Sequence, residues 1–89
     1  MPERQFEIIN EKGLHARASA KFVEEVERFD ARVSVSRDGL EVSGDSIMGL
    51  LMLAAARGCS IQVSAEGADA EAALAALERL VANKFGESR

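Results

Sequence analysis

The segment Gly13-Leu14-His15-Ala16-Arg17-Ala18-Ser19-Ala20 contains the one histidine of an 89-residue chain. It lies where a glycine-containing loop gives way to a helical pattern. Three features that favour an anion meet there. The first-turn N–H groups of a helix lack acceptors within it and point back at whatever precedes them. The helix dipole puts partial positive charge at the same end, which suits phosphate. Arg17 adds a guanidinium whose planar fork fits phosphoryl oxygens. Both positive features disfavour a further charge on the ring, and an uncharged ring nitrogen is a nucleophile. One histidine cannot build a zinc site. No Asp or Ser is arranged around it as a protease-like triad. Taken alone, His-x-Arg is a weak signal, more often a surface histidine near a helix cap and a solvated charge.

The elements that must position His15 follow from hydrophobic period. Phe6 and Ile8 alternate with polar neighbours and predict a strand over residues 4–9. From 16 to 29 the period changes: Phe22, Val23, Val26 and Phe29 fall on one face of an amphipathic helix. Val33 and Val35, the turn Asp38-Gly39, then Leu40 and Val42 spell a β-hairpin. Ser46 can N-cap a second helix beginning at Ile47, with Gly58 placed to end it. Ile61, Val63 and Ala65 form a fourth strand. Asp69 can cap a last helix in which Leu74, Leu77 and Val81 share a face, with Glu71 near its start and Lys84 near its end. The order is β-α-β-β-α-β-α. It predicts an α+β two-layer open-faced sandwich, a four-stranded mostly antiparallel sheet with three helices on one face.

Composition bounds the rest. Eighty-nine residues allow a single domain, 1–89. A net charge of −4 argues against nucleic acid as a partner, because that surface is met with Lys and Arg. The single Cys59 cannot form an internal disulfide. The longest apolar run, residues 47–56, is far short of the ~20 residues that span a bilayer, and no signal segment opens the chain. A cytoplasmic monomer with no cofactor and no membrane insertion is the expectation.

The whole octapeptide closely resembles the active-site segment of the HPr family, the histidine phosphocarriers of the bacterial phosphoenolpyruvate-dependent phosphotransferase system. Ser46-Ile47-Met48-Gly49-Leu50-Leu51-Met52-Leu53 is similar to that family's second segment, at the right distance downstream, and the element order matches over nearly the full length. The resemblance implies that enzyme I phosphorylates His15 on Nδ1, with the helix N–H groups at Ala16 and the side chain of Arg17 steadying the group. It implies transfer onward to a IIA-type protein, in sugar uptake or its regulation, without turnover of the carrier's own. It also implies a regulatory phosphoserine at Ser46 in some branches, made by HPr kinase/phosphorylase, and a docking patch at Ile47, Met48 and Leu51.

The chain departs from the family's pattern in places. Ala18 stands where many relatives have proline, a mild change in a first turn. Glu24, Glu25 and Glu27 occupy a helix face where sugar-type carriers often place lysines, with Asp45 expected across the site and Lys21 and Arg28 as nearby cations. Those acids fit either a solvated face or a partner of altered charge. Leu50-Leu51-Met52-Leu53-Ala54 is similar to the nitrogen-related, regulatory branch. Leu50 and Leu53 read as core, and Gly49 suggests close approach by another surface. Two rival readings stay open: a non-catalytic α+β regulatory binding module with an incidental His15, and a small acyl-phosphate hydrolase using Arg17.

Overall fold

In β1, Glu3–Glu7, Phe6 turns inward while Gln5 and Glu7 face water, and the completely buried Ile8 extends the inward row past the strand's end. The computed structural model describes residues 2–89. The same alternation builds β2, Arg32–Arg37, with Val33 and Val35 buried, and β4, Ser60–Glu66, with Ile61, Val63 and Ala65 buried. β3, Leu40–Ser43, follows β2 through Asp38 and Gly39, both at positive φ (51° and 85°), the turn that matches strand twist. Leu40 alternates as a strand residue yet stays 40% exposed at the hairpin's outer end. The strand order is β1-β4-β2-β3, and every neighbouring pair is antiparallel.

Three helices cover the apolar face, as expected. Helix α1, Ala16–Glu27, buries Phe22, Val23 and Val26, and Phe29 packs partly buried just beyond its end. Helix α3, Ala70–Ala82, buries Leu74, Leu77 and Val81. Phe22, Leu74, Leu77, Ile61 and Val63 are withdrawn from water altogether, each contributing about 1.5–3 kcal/mol of hydrophobic stabilisation.

Three local expectations are corrected. Helix α2 spans only Ile47–Met52, ending six residues before Gly58. Ala54 takes a left-handed φ of 51°, and the Leu53 carbonyl accepts a bond from Arg37 Nη1 at 2.9 Å. Gly58, at φ 90°, instead turns the chain into β4, its N–H bonded to the Ile8 carbonyl at 2.7 Å. Asp69 precedes α3 but does not cap it, because its carboxylate accepts the Asp30 N–H at 2.8 Å. Lys84 lies beyond α3, in the 3-10 turn Lys84–Gly86.

The turn sets the path of the C-terminal tail. Lys84, Phe85 and Gly86 all have left-handed φ (56°, 55° and 80°), a conformation that costs about 1–2 kcal/mol per residue carrying a Cβ. Offsetting it, Phe85 is wholly buried and its carbonyl accepts a bond from Lys21 Nζ of α1 at 2.8 Å. The tail is thereby bent back along α1, and the Glu11 N–H bonds the Arg89 carbonyl at 3.0 Å.

Candidate functional site

Two anchors fix the approach to α1. Gly13 has φ 67°, and a Cβ there would lie 2.6 Å from the Ala55 carbonyl oxygen, so only glycine fits. The buried Leu14 donates its N–H to the same carbonyl at 2.9 Å. Ser19 then ties the first turn down: its N–H bonds the His15 carbonyl at 2.8 Å, and its hydroxyl donates to the Leu14 carbonyl at 3.2 Å.

His15 occupies the N-cap position in extended conformation, but its side chain makes no capping bond. The first-turn N–H groups of α1 therefore stay open to an incoming acceptor. The imidazole is turned elsewhere. Its Nε2 lies 2.5 Å from Oε2 of Glu87, which the bent tail delivers. The other carboxylate oxygen of Glu87 accepts from Asn10 Nδ2 at 3.0 Å, and the same amide donates to the Gly13 carbonyl at 2.8 Å. Asn10 is fully buried. Burial tends to raise the carboxyl pKa of Glu87, but hydrogen bonds from His15 and Asn10 and the charges of His15 and Lys12 hold it below the ordinary range.

His15 opens on a cleft of about 400 Å³ lined also by Glu11, Lys12, Arg17, Glu87, Ser88 and Arg89. Arg17 and Ala16 are exposed at the start of α1, as the sequence suggested. Among the described residues, Arg17 makes no ion pair or side-chain hydrogen bond, which leaves its fork available. The cleft thus brings the imidazole together with three cationic side chains, Lys12, Arg17 and Arg89, and two carboxylates, Glu11 and Glu87.

The structure also places the remaining expected residues. Ser46 caps α2, its hydroxyl accepting the Gly49 N–H at 3.0 Å. Ile47, Met48 and Leu51 are exposed, Met48 most of all at 69%, while Leu50 and Leu53 are core. Met52, 63% exposed, joins them unforeseen. The surface that crowds Gly49 is the chain's own: a Cβ there would meet Val42 of β3 at 3.0 Å. Asp45 does not line the cleft and accepts instead from the Ser43 hydroxyl. Lys21 is engaged with Phe85 and Arg28 with Glu25, so the site's cations are Lys12, Arg17 and Arg89.

Sequence reasoning missed Glu87, Asn10, Lys12 and Arg89. One usable signal was present: an isolated Phe85 followed by Gly86 after the last helix marks an apolar anchor and a turn, hence a returning tail.

Comparison with known proteins decides the family. Residues 2–83 match the family described as the PTS HPr component phosphorylation site. The chain belongs to the HPr family. The phosphocarrier protein HPr of Neisseria meningitidis serogroup A is 47% identical over 87 residues, 98% of each chain. The crystal structure of HPr-C-His from Thermoanaerobacter tengcongensis superposes with a TM-score of 0.95 at 42% identity, covering all of both chains. An HPr dimer from the same organism matches at a TM-score of 0.78 and 42% identity, over 98% of this chain and 100% of that one. The HPr fold is therefore the fold of this chain, and a role as a phosphocarrier of the phosphotransferase system comes with the family. The family match stops at residue 83, short of Glu87. Among the described residues, no helix is long and apolar enough to cross a membrane, and no group of three or more His, Cys, Asp and Glu side chains could hold a metal ion.

Proposed function

We propose that His15 accepts a phosphoryl group on Nδ1 from phosphorylated enzyme I and hands it to a IIA-type protein, the chain having no turnover of its own. The observation that carries this reading is the meeting of the only histidine with the uncapped start of α1 and the unpaired Arg17 in one open cleft. In the transfer, the lone pair of Nδ1 forms a bond to phosphorus as the donor's bond to phosphorus breaks, its electron pair leaving with the donor. Arg17 and the N–H groups of Ala16 and Arg17 hold the phosphoryl oxygens, and Lys12 and Arg89 add positive potential. Ser19, the hydroxyl that the sequence offered beside Arg17 for a hydrolase, is buried and donates to the Leu14 carbonyl at 3.2 Å, which favours a carrier over a hydrolase.

Docking falls to the apolar surface of α2, where Ile47, Met48, Leu51 and Met52 stand exposed beside α1. A phosphate on Ser46, placed there by an HPr kinase/phosphorylase, would put about −1.5 to −2 charges at the edge of that patch and oppose docking.

Incubation with enzyme I and labelled phosphoenolpyruvate tests the reading. Acid-labile, base-stable label on the protein is expected, absent from His15→Ala. Label that persists in His15→Ala refutes the assignment. Free phosphate without label indicates a hydrolase, and neither product indicates a binding module.

A further inference from the structure

We propose that Glu87, oriented by Asn10, is a positioning residue that keeps the ring proton of His15 on Nε2 and so leaves Nδ1 as the nucleophile. The proposal rests on the phosphocarrier reading and says what makes that nitrogen, rather than the other, available.

The geometry has a direction. A carboxylate can only accept, so the contact of 2.5 Å between Nε2 and Oε2 requires a proton on Nε2. In the neutral ring the Nδ1 lone pair is then free. Asn10 is set in turn by its own surroundings. Turning its amide over would aim Oδ1 at the Gly13 carbonyl and at Oε1 of Glu87, two acceptors, so Nδ2 must face them. That orientation leaves Oδ1 as the one buried side-chain polar atom without a partner among the described residues. A buried amide kept with one unsatisfied oxygen is a cost, and what it secures is the fixed carboxylate. Glu87 is itself well covered, its side chain 17% exposed, because Phe85 and Lys21 pin the tail.

The relay acts in the reaction as well as before it. When Nδ1 bonds to phosphorus while Nε2 keeps its proton, the ring becomes cationic. The Glu87 carboxylate faces that developing charge from the nitrogen opposite the phosphoryl group, much as a carboxylate does behind a catalytic histidine in acyl transfer. The charged and titratable groups around the ring are Glu87, Glu11, Lys12, Arg17 and Arg89. Of the two acids, only Glu87 bonds to it.

Glu87→Gln is the informative variant. Asn10 can still donate to the new amide's oxygen, which would turn its NH2 toward Nε2 and draw the ring proton to Nδ1. Because the chain has one histidine, 15N chemical shifts and ring couplings report a single imidazole. We expect Nε2–H in the wild type, a shift of population to Nδ1–H in Glu87→Gln, and an initial rate of labelling by enzyme I lowered about 10- to 100-fold. Loss of a tail contact alone would not move the tautomer. A tautomer that stays on Nε2 in the folded variant, or a labelling rate equal to wild type, overturns the proposal. If the wild type takes no label at all, the carrier reading fails separately, and the tautomer pair still decides whether Glu87 holds the proton.

Discussion

Gly13→Ala tests whether the loop before His15 is as tightly determined as its contacts suggest. The new Cβ would sit 2.6 Å from the Ala55 oxygen and 2.9 Å from Ala56 Cα, both backbone atoms that cannot swing aside. Relieving that overlap costs about 1–3 kcal/mol, as overpacking generally does. A φ of 67° adds about 1–2 kcal/mol for a residue with a Cβ. If the two loops part, the Leu14 N–H bond to the Ala55 carbonyl goes too, about 1 kcal/mol more. The sum is roughly 3–6 kcal/mol against a total stability of about 5–15, so Tm should fall by roughly 15–30 °C. Gly58→Ala separates the contributions. Its φ is 90°, but nothing lies within 4 Å of a Cβ there, so backbone strain alone acts. It should lose only about 1–2 kcal/mol. Thermal unfolding of both variants by circular dichroism gives the comparison. Equal Tm losses would mean that the approach of Gly13 to Ala55 does not constrain the loop, and that His15 is placed by something else.

Met48→Glu should leave Tm within a few degrees of wild type, since the side chain is 69% exposed, while raising the apparent KM for enzyme I by desolvating a charge on docking; a large fall in Tm would place Met48 in the core. Ser46→Ala should lose about 1 kcal/mol with its cap to the Gly49 N–H, measurable by urea unfolding. Ser46→Asp should melt near wild type and accept phosphate more slowly, and a wild-type rate would leave Ser46 as a cap only. Glu87 should make stability depend on acid. Its folded pKa lies below its ordinary value of 4.5, so the unfolded chain binds the proton first and the carboxylate's contribution, full above that value, is lost as pH falls through the folded one. The Tm difference between wild type and Glu87→Gln should therefore shrink as pH falls below 4.5; a constant difference would show that the carboxylate's charge is not what stabilises.

What the sequence made legible was what neighbouring residues encode. Alternation marked all four strands, a 3.6-residue period marked α1 and α3, and the loop-to-helix junction was read at His15, which is the N-cap of α1. What it hid was long-range. Glu87 reaches His15 across 72 residues of chain; Phe85 and Gly86 announce a returning tail, but nothing near either residue says which side chain that tail meets. Asn10 reads as an ordinary loop residue until its burial is known. α2 was overextended because Gly58 is a plausible helix stop, whereas Ala54 and the Arg37 bond to Leu53 ended the helix first. The positive face of the site was misassigned for a similar reason: Lys21 is near in sequence, but its ammonium is committed to Phe85.

The strand order also has a kinetic side. β2 and β3 close on each other through the two residues of the Asp38-Gly39 turn, a local event. β1 has a single strand neighbour, β4, and Glu3 must find Ser64 to pair with it. Closing so long a loop costs entropy before any contact repays it, and such pairings slow folding. The β2–β3 hairpin should therefore form early and β1 dock late. The stretch from β1 to α1 carries Asn10, Gly13 and His15, so the cleft around His15 should be among the last parts of the molecule to assemble. Amide exchange pulsed during refolding should find Ile8 and Leu14 protected after Val35 and Val42, and a chain caught before that step would have most of its hairpin and none of its chemistry.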